Sequence, residues 1–167
     1  DRLDVMNDPY QTMVNIQSSE VEPDGAGVPI RHKRGYLAIS PTERFHDLRS
    51  EIALTLEDMG IPVRYHHHEV GAPGQCEIEI DLAPLVTVAD RTMLIKYVVK
   101  NIARRRGKLA TFMPKPIFGE AGNGMHVHQK LDKGGKPLFY DEKEKNYANL
   151  SDLALNYVAG LLRHGCG

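Results

Sequence analysis

This sequence has few cysteines, almost no net charge and no long apolar run, and each of these properties excludes some classes of protein. Two cysteines, Cys76 and Cys166, are too few for a disulfide framework, which favours a reducing, cytoplasmic setting. A net charge of −1 provides no global field that would draw nucleic acid or an anionic membrane. No apolar run has the roughly 20-residue length of a membrane span, and we expect no signal peptide. Nucleic acid and membrane are therefore not expected as partners.

What the chain does contain is a mixture of strand and helix patterns. Its 167 residues, 41% of them hydrophobic, suit one domain or part of a longer protein. Strand and helix patterns do not alternate strictly, which favours an α+β fold with a mostly antiparallel, curved sheet and packed helices. Strands are predicted at residues 10–16, 36–39, 63–70, 76–82, 109–114 and 125–131, with a hairpin turn at Gly134-Gly135 leading into 138–140.

Three helices are predicted from apolar periodicity and end signals. The first begins at Ser40 as N-cap, with Glu43 completing a capping box, and ends at Gly60. The second covers residues 87–105, and its broad apolar arc predicts that it is well buried. The third is capped by Ser151. Loops are predicted at residues 17–34, 115–124 and 141–149.

The most informative stretch is residues 66–77, where two predicted strands flank a Gly/Pro turn. Because side chains alternate along a strand, His67 and Glu69 share one face of the first strand, and Glu77 lies on the second. A turn of this length folds the strands back so that Glu69 and Glu77 converge. Converging carboxylates need a proton or a cation between them, so one interpretation is a site for Mg²⁺ or Mn²⁺. The other is an ordinary solvated sheet face, which is how we interpret Glu79 and Asp81.

Histidines add a second group of candidate ligands. At most two of the three in the run 66–68 face one way, and such histidines also pack or orient carboxylates without binding metal. His126 and His128 follow the glycine-rich loop 115–124, and alternation places them on one face. Glycines allow backbone to approach a ligand closely, although their spacing here matches neither a dinucleotide fingerprint nor a P-loop.

Cys76 is a poor candidate for a nucleophile. Alternation places it opposite Glu77, on the face that carries Ile78 and Ile80. We therefore predict a buried, inert thiol.

Several of these stretches together resemble the bacterial type of glutamine synthetase. The resemblance covers nearly the whole chain, in the order in which the motifs occur in that family. The motifs are His67-His68-Glu69-Val70, Gly74-Gln75-Cys76-Glu77, Lys96-Tyr97-Val98-Val99-Lys100, Ala110-Thr111-Phe112-Met113-Pro114-Lys115-Pro116 and Gly122-Asn123-Gly124-Met125-His126-Val127-His128.

The resemblance implies an ATP-dependent ligase that joins L-glutamate and ammonia through γ-glutamyl phosphate, using two Mg²⁺ or Mn²⁺ ions. It implies Glu69 and Glu77 as ligands of one metal and His126 as a ligand of the other. His128 and Lys130 would contact ATP, and Ala121 and Gly122 would bind glutamate. It also implies a homo-oligomer for the full-length protein and a fold of the family's catalytic-domain type.

Three residues depart from the family pattern. Ala121 replaces the usual Asn, Lys130 replaces the usual Ser, and Arg64 stands where many members carry an acidic residue. The family's further metal-binding glutamates and catalytic arginines are not found here. We therefore expect residues 1–167 to form a partial catalytic domain, without the N-terminal domain or the C-terminal part, and to be inactive alone. No catalytic residue is assigned within it.

Three other interpretations remain open. The first is a γ-glutamyl–amine ligase that uses the same ATP chemistry on an amine. The second is a non-catalytic structural or interaction fragment. The third is a metal-dependent hydrolase, which ranks last because the chain has no His-Glu-x-x-His motif.

Overall fold

A computed structural model describes residues 2–21, 28–142 and 147–165. The chain divides into two compact units, Asp1–Gly124 and Met125–Gly167. The strands are β1 (Arg2–Asn7), β2 (Thr12–Gln17), β3 (Val63–His68), β4 (Cys76–Ile80), β5 (Asp132–Lys133) and β6 (Lys136–Pro137). The helices are α1 (His46–Asp58), α2 (Leu85–Arg105) and α3 (Asp152–His164), with a 3-10 turn at Tyr147–Asn149. The α+β class with antiparallel strands is confirmed.

The described strands pair as three two-stranded antiparallel sheets, β1–β2, β3–β4 and β5–β6. The predicted strand at 10–16 is present as β2, and its partner β1 was not predicted. Part of the predicted loop at 17–34 and part of that at 141–149 lie outside the described residues, as does Cys166.

The core of the first unit lies where the two long helices meet the β3–β4 hairpin. Ile52 and Leu56 of α1 pack with Ile61 just after it, and with Val98 and Ile102 of α2. Ile78 and Ile80 of β4 pack against this cluster. Burying these apolar side chains stabilises the hairpin that carries the acidic residues.

The start of α1 differs from the prediction. The helix begins at His46, and the side chain of its N-cap residue, Phe45, makes no capping hydrogen bond. Glu43 does not close a capping box with Ser40, because its carboxylate turns inward. Its Oε1 accepts hydrogen bonds from Arg49 Nη1 at 2.8 Å and from the Phe45 amide at 2.5 Å. The Glu43–Arg49 pair is buried, so it holds the segment before α1 against the helix.

Helix α2 matches its predicted bounds closely, but the prediction that it is well buried is wrong. Only Val98, Ile102 and Ala103 are buried. Several of its other apolar residues are exposed, because no described element packs on that side. These residues are Leu85, Val86, Met93, Leu94 and Tyr97. No helix among the described residues is long and apolar enough to cross a membrane.

Three predicted strands do not form in the described part of the chain: residues 36–39, 109–114 and 125–131. A strand requires a neighbour for its backbone hydrogen bonds, and no described segment pairs with these three as a ladder. The first is a turn that contacts the end of β3, where Leu37 N donates to His68 O at 3.0 Å.

The second unit contains the predicted hairpin turn and the predicted third helix, but the strand after the turn is Lys136–Pro137 and not residues 138–140. Gly134 and Gly135 both have positive φ, 59° and 77°, as a two-residue hairpin turn between β5 and β6 requires. Ser151 caps α3, because its side chain accepts a hydrogen bond from Ala154 N at 3.1 Å.

Candidate metal centre

The β3–β4 hairpin brings Glu69 and Glu77 together, as predicted. His67 lies directly opposite Glu77 in the strand register. Glu69 follows the last residue of β3, and its amide donates to Gln75 O at 2.8 Å, so the ladder extends to the turn. One ligand atom from each of His67, Glu69 and Glu77 lies within 4.8 Å of the others. The predicted convergence of the two carboxylates is confirmed, and metal binding stays a prediction.

His67 lies between the two carboxylates. Its Nδ1 is 4.0 Å from Glu69 Oε1 and its Nε2 is 3.9 Å from Glu77 Oε1. These separations are too long for hydrogen bonds. The separation of Nε2 from Glu77 Oε1 is comparable with the roughly 3–4 Å between ligand atoms around an octahedral Mg²⁺, which follows from metal–oxygen distances of about 2 Å.

The surroundings of the His67 ring favour one tautomer. Nδ1 lies 2.9 Å from the backbone carbonyl oxygen of His68, so it donates its proton there. In the neutral ring Nε2 then carries the lone pair, on the side of Glu77. Metal-binding histidines usually have this arrangement, with the second nitrogen held by a carbonyl or carboxylate. The Tyr36 ring also contacts His67 edge-on, with 5.3 Å between centroids.

The donor set fits a divalent cation of the Mg²⁺ or Mn²⁺ type. Two carboxylates suit either ion, and the neutral imidazole is more acceptable to Mn²⁺. The carboxylates are partly accessible, with 22% of the Glu69 side chain and 34% of the Glu77 side chain exposed. A backbone hydrogen bond also orients the Glu69 carboxylate, because its Oε2 accepts from Val70 N at 2.8 Å.

His68 points away from this cluster, into the interior. Its Nε2 lies 2.8 Å from Glu20 Oε2, and both side chains are fully buried. Its Nδ1 lies 2.6 Å from Glu69 O, so each ring nitrogen faces an acceptor. Burial alone would lower the pKa of His68, but the hydrogen bond and the charge of Glu20 outweigh it, and the pKa is raised. His68 therefore anchors the strand that carries His67 and Glu69.

The backbone at Gly35 packs closely against the His68 ring, and only a residue without a side chain fits there. A Cβ added to Gly35 would lie 2.5 Å from both His68 Cε1 and Glu69 O. Gly35 N also donates to Val70 O at 3.1 Å. The segment around Gly35 therefore packs against the end of β3 and is hydrogen-bonded to the residues that follow it.

His66 faces a different cluster, around Arg49. Arg49 Nε lies 3.4 Å from His66 Nδ1. Burial lowers the pKa of His66, and the nearby Arg49 charge lowers it further. The three consecutive histidines thus have three different environments, and only His67 joins the acidic pair.

The prediction that Cys76 is buried is wrong, because the residue is exposed. Protein atoms nevertheless crowd its sulfur, and this burial raises the pKa of the thiol to about 11, although Arg49 opposes the shift. Exposure determines whether a reagent reaches the sulfur, and the pKa determines how much thiolate is present. The prediction of an unreactive thiol therefore stands on the pKa alone.

The glycine-rich loop lies in the same unit as the acidic cluster. Ala121 is half-buried, and its amide donates to Glu120 Oε2 at 3.3 Å. Gly122 is exposed, and a Cβ there would lie 2.7 Å from Pro114 O. Both residues stay predicted glutamate contacts.

His126, His128 and Lys130 belong to the second unit. All three are exposed and lie in irregular backbone, so no strand places the two histidines on one face. Lys130 Nζ is 3.1 Å from Asp132 Oδ1, which partly compensates its charge. Their roles toward a second metal and ATP stay predictions.

Three residues support this region through contacts that were not predicted: Glu20, Gly35 and Gln75, the last of which was named only within the motif Gly74-Gln75-Cys76-Glu77. Glu20 and Gly35 are distant in sequence from the residues they support, so no local pattern indicates them. Gln75 lies in the turn between the strands, and its polar side chain next to glycines was a signal that the prediction did not use.

An α+β unit in which a hairpin presents two carboxylates and an imidazole is consistent with a metal-dependent enzyme domain. Comparison with known proteins makes this specific: residues 3–166 match the family described as glutamine synthetase, catalytic domain. The chain belongs to the glutamine synthetase family.

Individual relatives agree with this assignment. A glutamine synthetase of Streptomyces coelicolor is 53% identical over 141 residues, which are 84% of this chain and 30% of that protein. A cryo-electron microscopy structure of Plasmodium falciparum glutamine synthetase has a TM-score of 0.84 at 27% identity, over 99% of this chain and 34% of that one. A structure described as GmaS in complex with ADP has a TM-score of 0.72 at 33% identity, over 86% and 32%. The chain thus spans about a third of the length of these proteins.

Proposed function

We propose that this chain supplies metal- and substrate-binding residues of a ligase that joins L-glutamate and ammonia at the expense of ATP. The reaction proceeds through γ-glutamyl phosphate, whose phosphate is then displaced by ammonia. One observation carries the proposal: in a member of this family, the carboxylates of Glu69 and Glu77 converge beside a correctly oriented imidazole, that of His67.

Glu69, Glu77 and His67 would hold one Mg²⁺ or Mn²⁺. A bound divalent cation supplies positive charge that orients a substrate carboxylate and offsets the charge of a phosphoryl group in transfer. The chain's own contribution is preorganisation. Val70 N fixes the Glu69 carboxylate, the backbone carbonyl of His68 fixes the His67 tautomer, and Glu20 anchors the strand.

Other predicted contacts complete the proposal. His126 would bind a second metal, and His128 and Lys130 would contact ATP. The ammonium group of Lys130 has three N–H donors, so it could contact a phosphate while keeping its ion pair with Asp132. Ala121 and Gly122 would bind glutamate through their backbone groups. Binding of this kind tolerates an alanine where the family usually has asparagine.

The chain covers only about 30% of its Streptomyces relative, so the complete reaction needs groups outside it. We propose that the full-length protein is a cytoplasmic homo-oligomer and that residues 1–167 alone form no glutamine. The test measures glutamine in reactions of the pure chain with glutamate, ammonia, ATP and Mn²⁺. Glutamine formation above the no-enzyme control would contradict the proposal for the isolated chain.

The ligase proposal itself is tested in a protein extended to the length of the relatives. Glutamate- and ammonia-dependent ADP release is expected, with Glu77→Gln lowering it by at least about tenfold, the lower end of the effects seen around metal sites. Glu142→Gln, at an exposed position of the second unit, is the matched control. ADP release that needs an amine in place of ammonia would instead identify a γ-glutamyl–amine ligase. Release that is unaffected by Glu77→Gln would overturn the metal-site assignment.

A further inference from the structure

We propose that Gln75 is a positioning residue whose side-chain amide holds the glycine-rich loop at Gly122 and Asn123 against the turn that follows Glu69. This inference rests on the proposed function, because its consequence is to set the glutamate-binding backbone relative to the metal-binding carboxylates.

The contacts of Gln75 join two segments that are 47 residues apart in sequence. On the turn side, Oε1 accepts a hydrogen bond from Gly71 N at 2.7 Å, and the backbone carbonyl accepts one from Glu69 N at 2.8 Å. On the loop side, Nε2 donates to Gly122 O at 2.9 Å and to Asn123 Oδ1 at 2.8 Å. The side chain of Gln75 thus binds the loop, while the backbone of the same residue is hydrogen-bonded to the backbone of Glu69.

The chemistry of the site requires an amide. Both loop contacts are acceptors, so the group that meets them must carry two N–H donors, while the turn contact is a donor and needs an acceptor. Glutamine supplies both ends with one planar group. A glutamate of the same shape would keep the bond from Gly71 N but would place a carboxylate oxygen against two other oxygens.

Glycines at both ends of the amide allow this approach. A Cβ on Gly71 would lie 2.8 Å from Gln75 Oε1. A Cβ on Gly122 would lie 2.7 Å from Pro114 O, a backbone atom that cannot move aside cheaply. A larger residue at position 71 would therefore displace the Gln75 amide, and one at position 122 would move Gly122 away from Pro114.

Asn123, which accepts the hydrogen bond from Gln75, is itself held by the preceding segment. The hydrogen bond from Gln75 therefore sets the position of an ordered part of the loop. Asn123 N donates to Pro114 O at 2.7 Å, and Asn123 Nδ2 donates to Met113 O at 2.6 Å. Asn123 Oδ1 is left to receive Gln75 Nε2. Ala121 and Gly122, the proposed glutamate contacts, are next to this anchor.

The test compares wild type with Gln75→Glu and Gln75→Met by NMR of the 167-residue chain, with Gln11→Glu at an exposed turn as the matched control. Mn²⁺ is the probe, because it broadens amide signals steeply with proximity. In wild type we expect broadening at Val70, beside Glu69, and also at Gly122 and Asn123. In Gln75→Glu the broadening at Val70 is retained, while that of the two loop amides falls.

Hydrogen exchange gives a readout that does not depend on metal. Exchange of the Asn123 amide is expected to accelerate on the order of tenfold in both variants at position 75, about the effect of one lost hydrogen bond. The Gly71 amide should accelerate only in Gln75→Met, because a carboxylate still accepts its hydrogen bond. A general loss of structure would accelerate both amides in both variants and would overturn the inference.

The outcomes separate the two proposals. If Mn²⁺ broadens neither Val70 nor the loop in wild type, the metal site fails and this inference fails with it. If Val70 is broadened but Gly122 and Asn123 behave alike in wild type and Gln75→Glu, only the inference fails. In a protein long enough to catalyse, Gln75→Glu should raise KM for glutamate about tenfold and leave KM for ATP within about twofold.

Discussion

Removing Glu20 is expected to destabilise the first unit more than removing any exposed acidic residue. Its carboxylate is fully buried and accepts hydrogen bonds from His68 Nε2 and Arg44 N, both at 2.8 Å. Glu20→Ala leaves the imidazole and the amide without these partners in the interior. Breaking a buried ion pair from one side costs about 3–5 kcal/mol, a large share of the roughly 5–15 kcal/mol that stabilises a domain.

Glu20→Gln is expected to cost less, because neutral His68 can adapt to it. The amide oxygen can accept from Arg44 N while its N–H₂ donates to His68 Nε2, provided that the ring keeps its proton on Nδ1, which faces Glu69 O. What is lost is the extra strength of a charge-assisted hydrogen bond over a neutral one, about 1 kcal/mol where His68 would otherwise be protonated.

The cost of Glu20→Gln depends on pH in a defined direction. The folded pKa of His68 is raised above the unfolded value of about 6.5. The stabilisation from the ion pair is therefore fully present below about pH 6.5 and is lost as pH rises through the folded pKa. The difference between wild type and Glu20→Gln should shrink over that range.

Urea denaturation monitored by circular dichroism at several pH values measures these effects. With a slope of about 1–3 kcal/mol per molar urea, Glu20→Ala should lower the midpoint by at least about 1 M. Glu142→Gln, at an exposed position, should change the free energy of unfolding by less than about 0.5 kcal/mol. A cost below about 1 kcal/mol for Glu20→Ala, or a Glu20→Gln cost that grows with pH, would refute the reasoning.

Three further predictions concern individual side chains. His67→Asn should weaken Mn²⁺ binding about 10–100-fold in calorimetry without altering the circular dichroism spectrum, whereas unchanged affinity would remove His67 from the site. Gly35→Ala should lower the urea midpoint, since its Cβ would lie 2.5 Å from the Glu69 carbonyl oxygen, and an unchanged midpoint would show that this contact relaxes freely. In a Cys166→Ser background, Cys76 should react with a thiol reagent at pH 8 at least about tenfold more slowly than free cysteine, because a pKa of about 11 leaves little thiolate and the greater nucleophilicity of a more basic thiolate only partly offsets this. A rate near that of free cysteine would contradict the raised pKa.

Local patterns in the sequence predicted the parts of the fold that depend on local physics. The β3–β4 hairpin, the bounds of α2, the Ser151 cap and the Gly134-Gly135 turn all follow from alternation, apolar periodicity or special backbone geometry. The convergence of Glu69 and Glu77 could be predicted for the same reason, since a short turn determines which side chains meet.

Features that depend on distant partners could not be predicted in this way. Glu43 looked like part of a capping box, but a buried arginine on the following helix turn competes for its carboxylate. Residues 125–131 alternate like a strand, yet no described strand pairs with them as a ladder. The partner of His68 is Glu20, 48 residues away, in a segment whose composition indicated only a loop.

Binding of Mn²⁺ to the 167-residue chain, measured by isothermal titration calorimetry, tests the central claim most directly. We predict weak binding of one ion by the hairpin site, reduced by at least about tenfold in both Glu69→Gln and Glu77→Gln. Glu79→Gln, on the same strand but paired with Arg64, should bind like wild type. Mn²⁺ binding that survives both Glu69→Gln and Glu77→Gln unchanged would contradict the account.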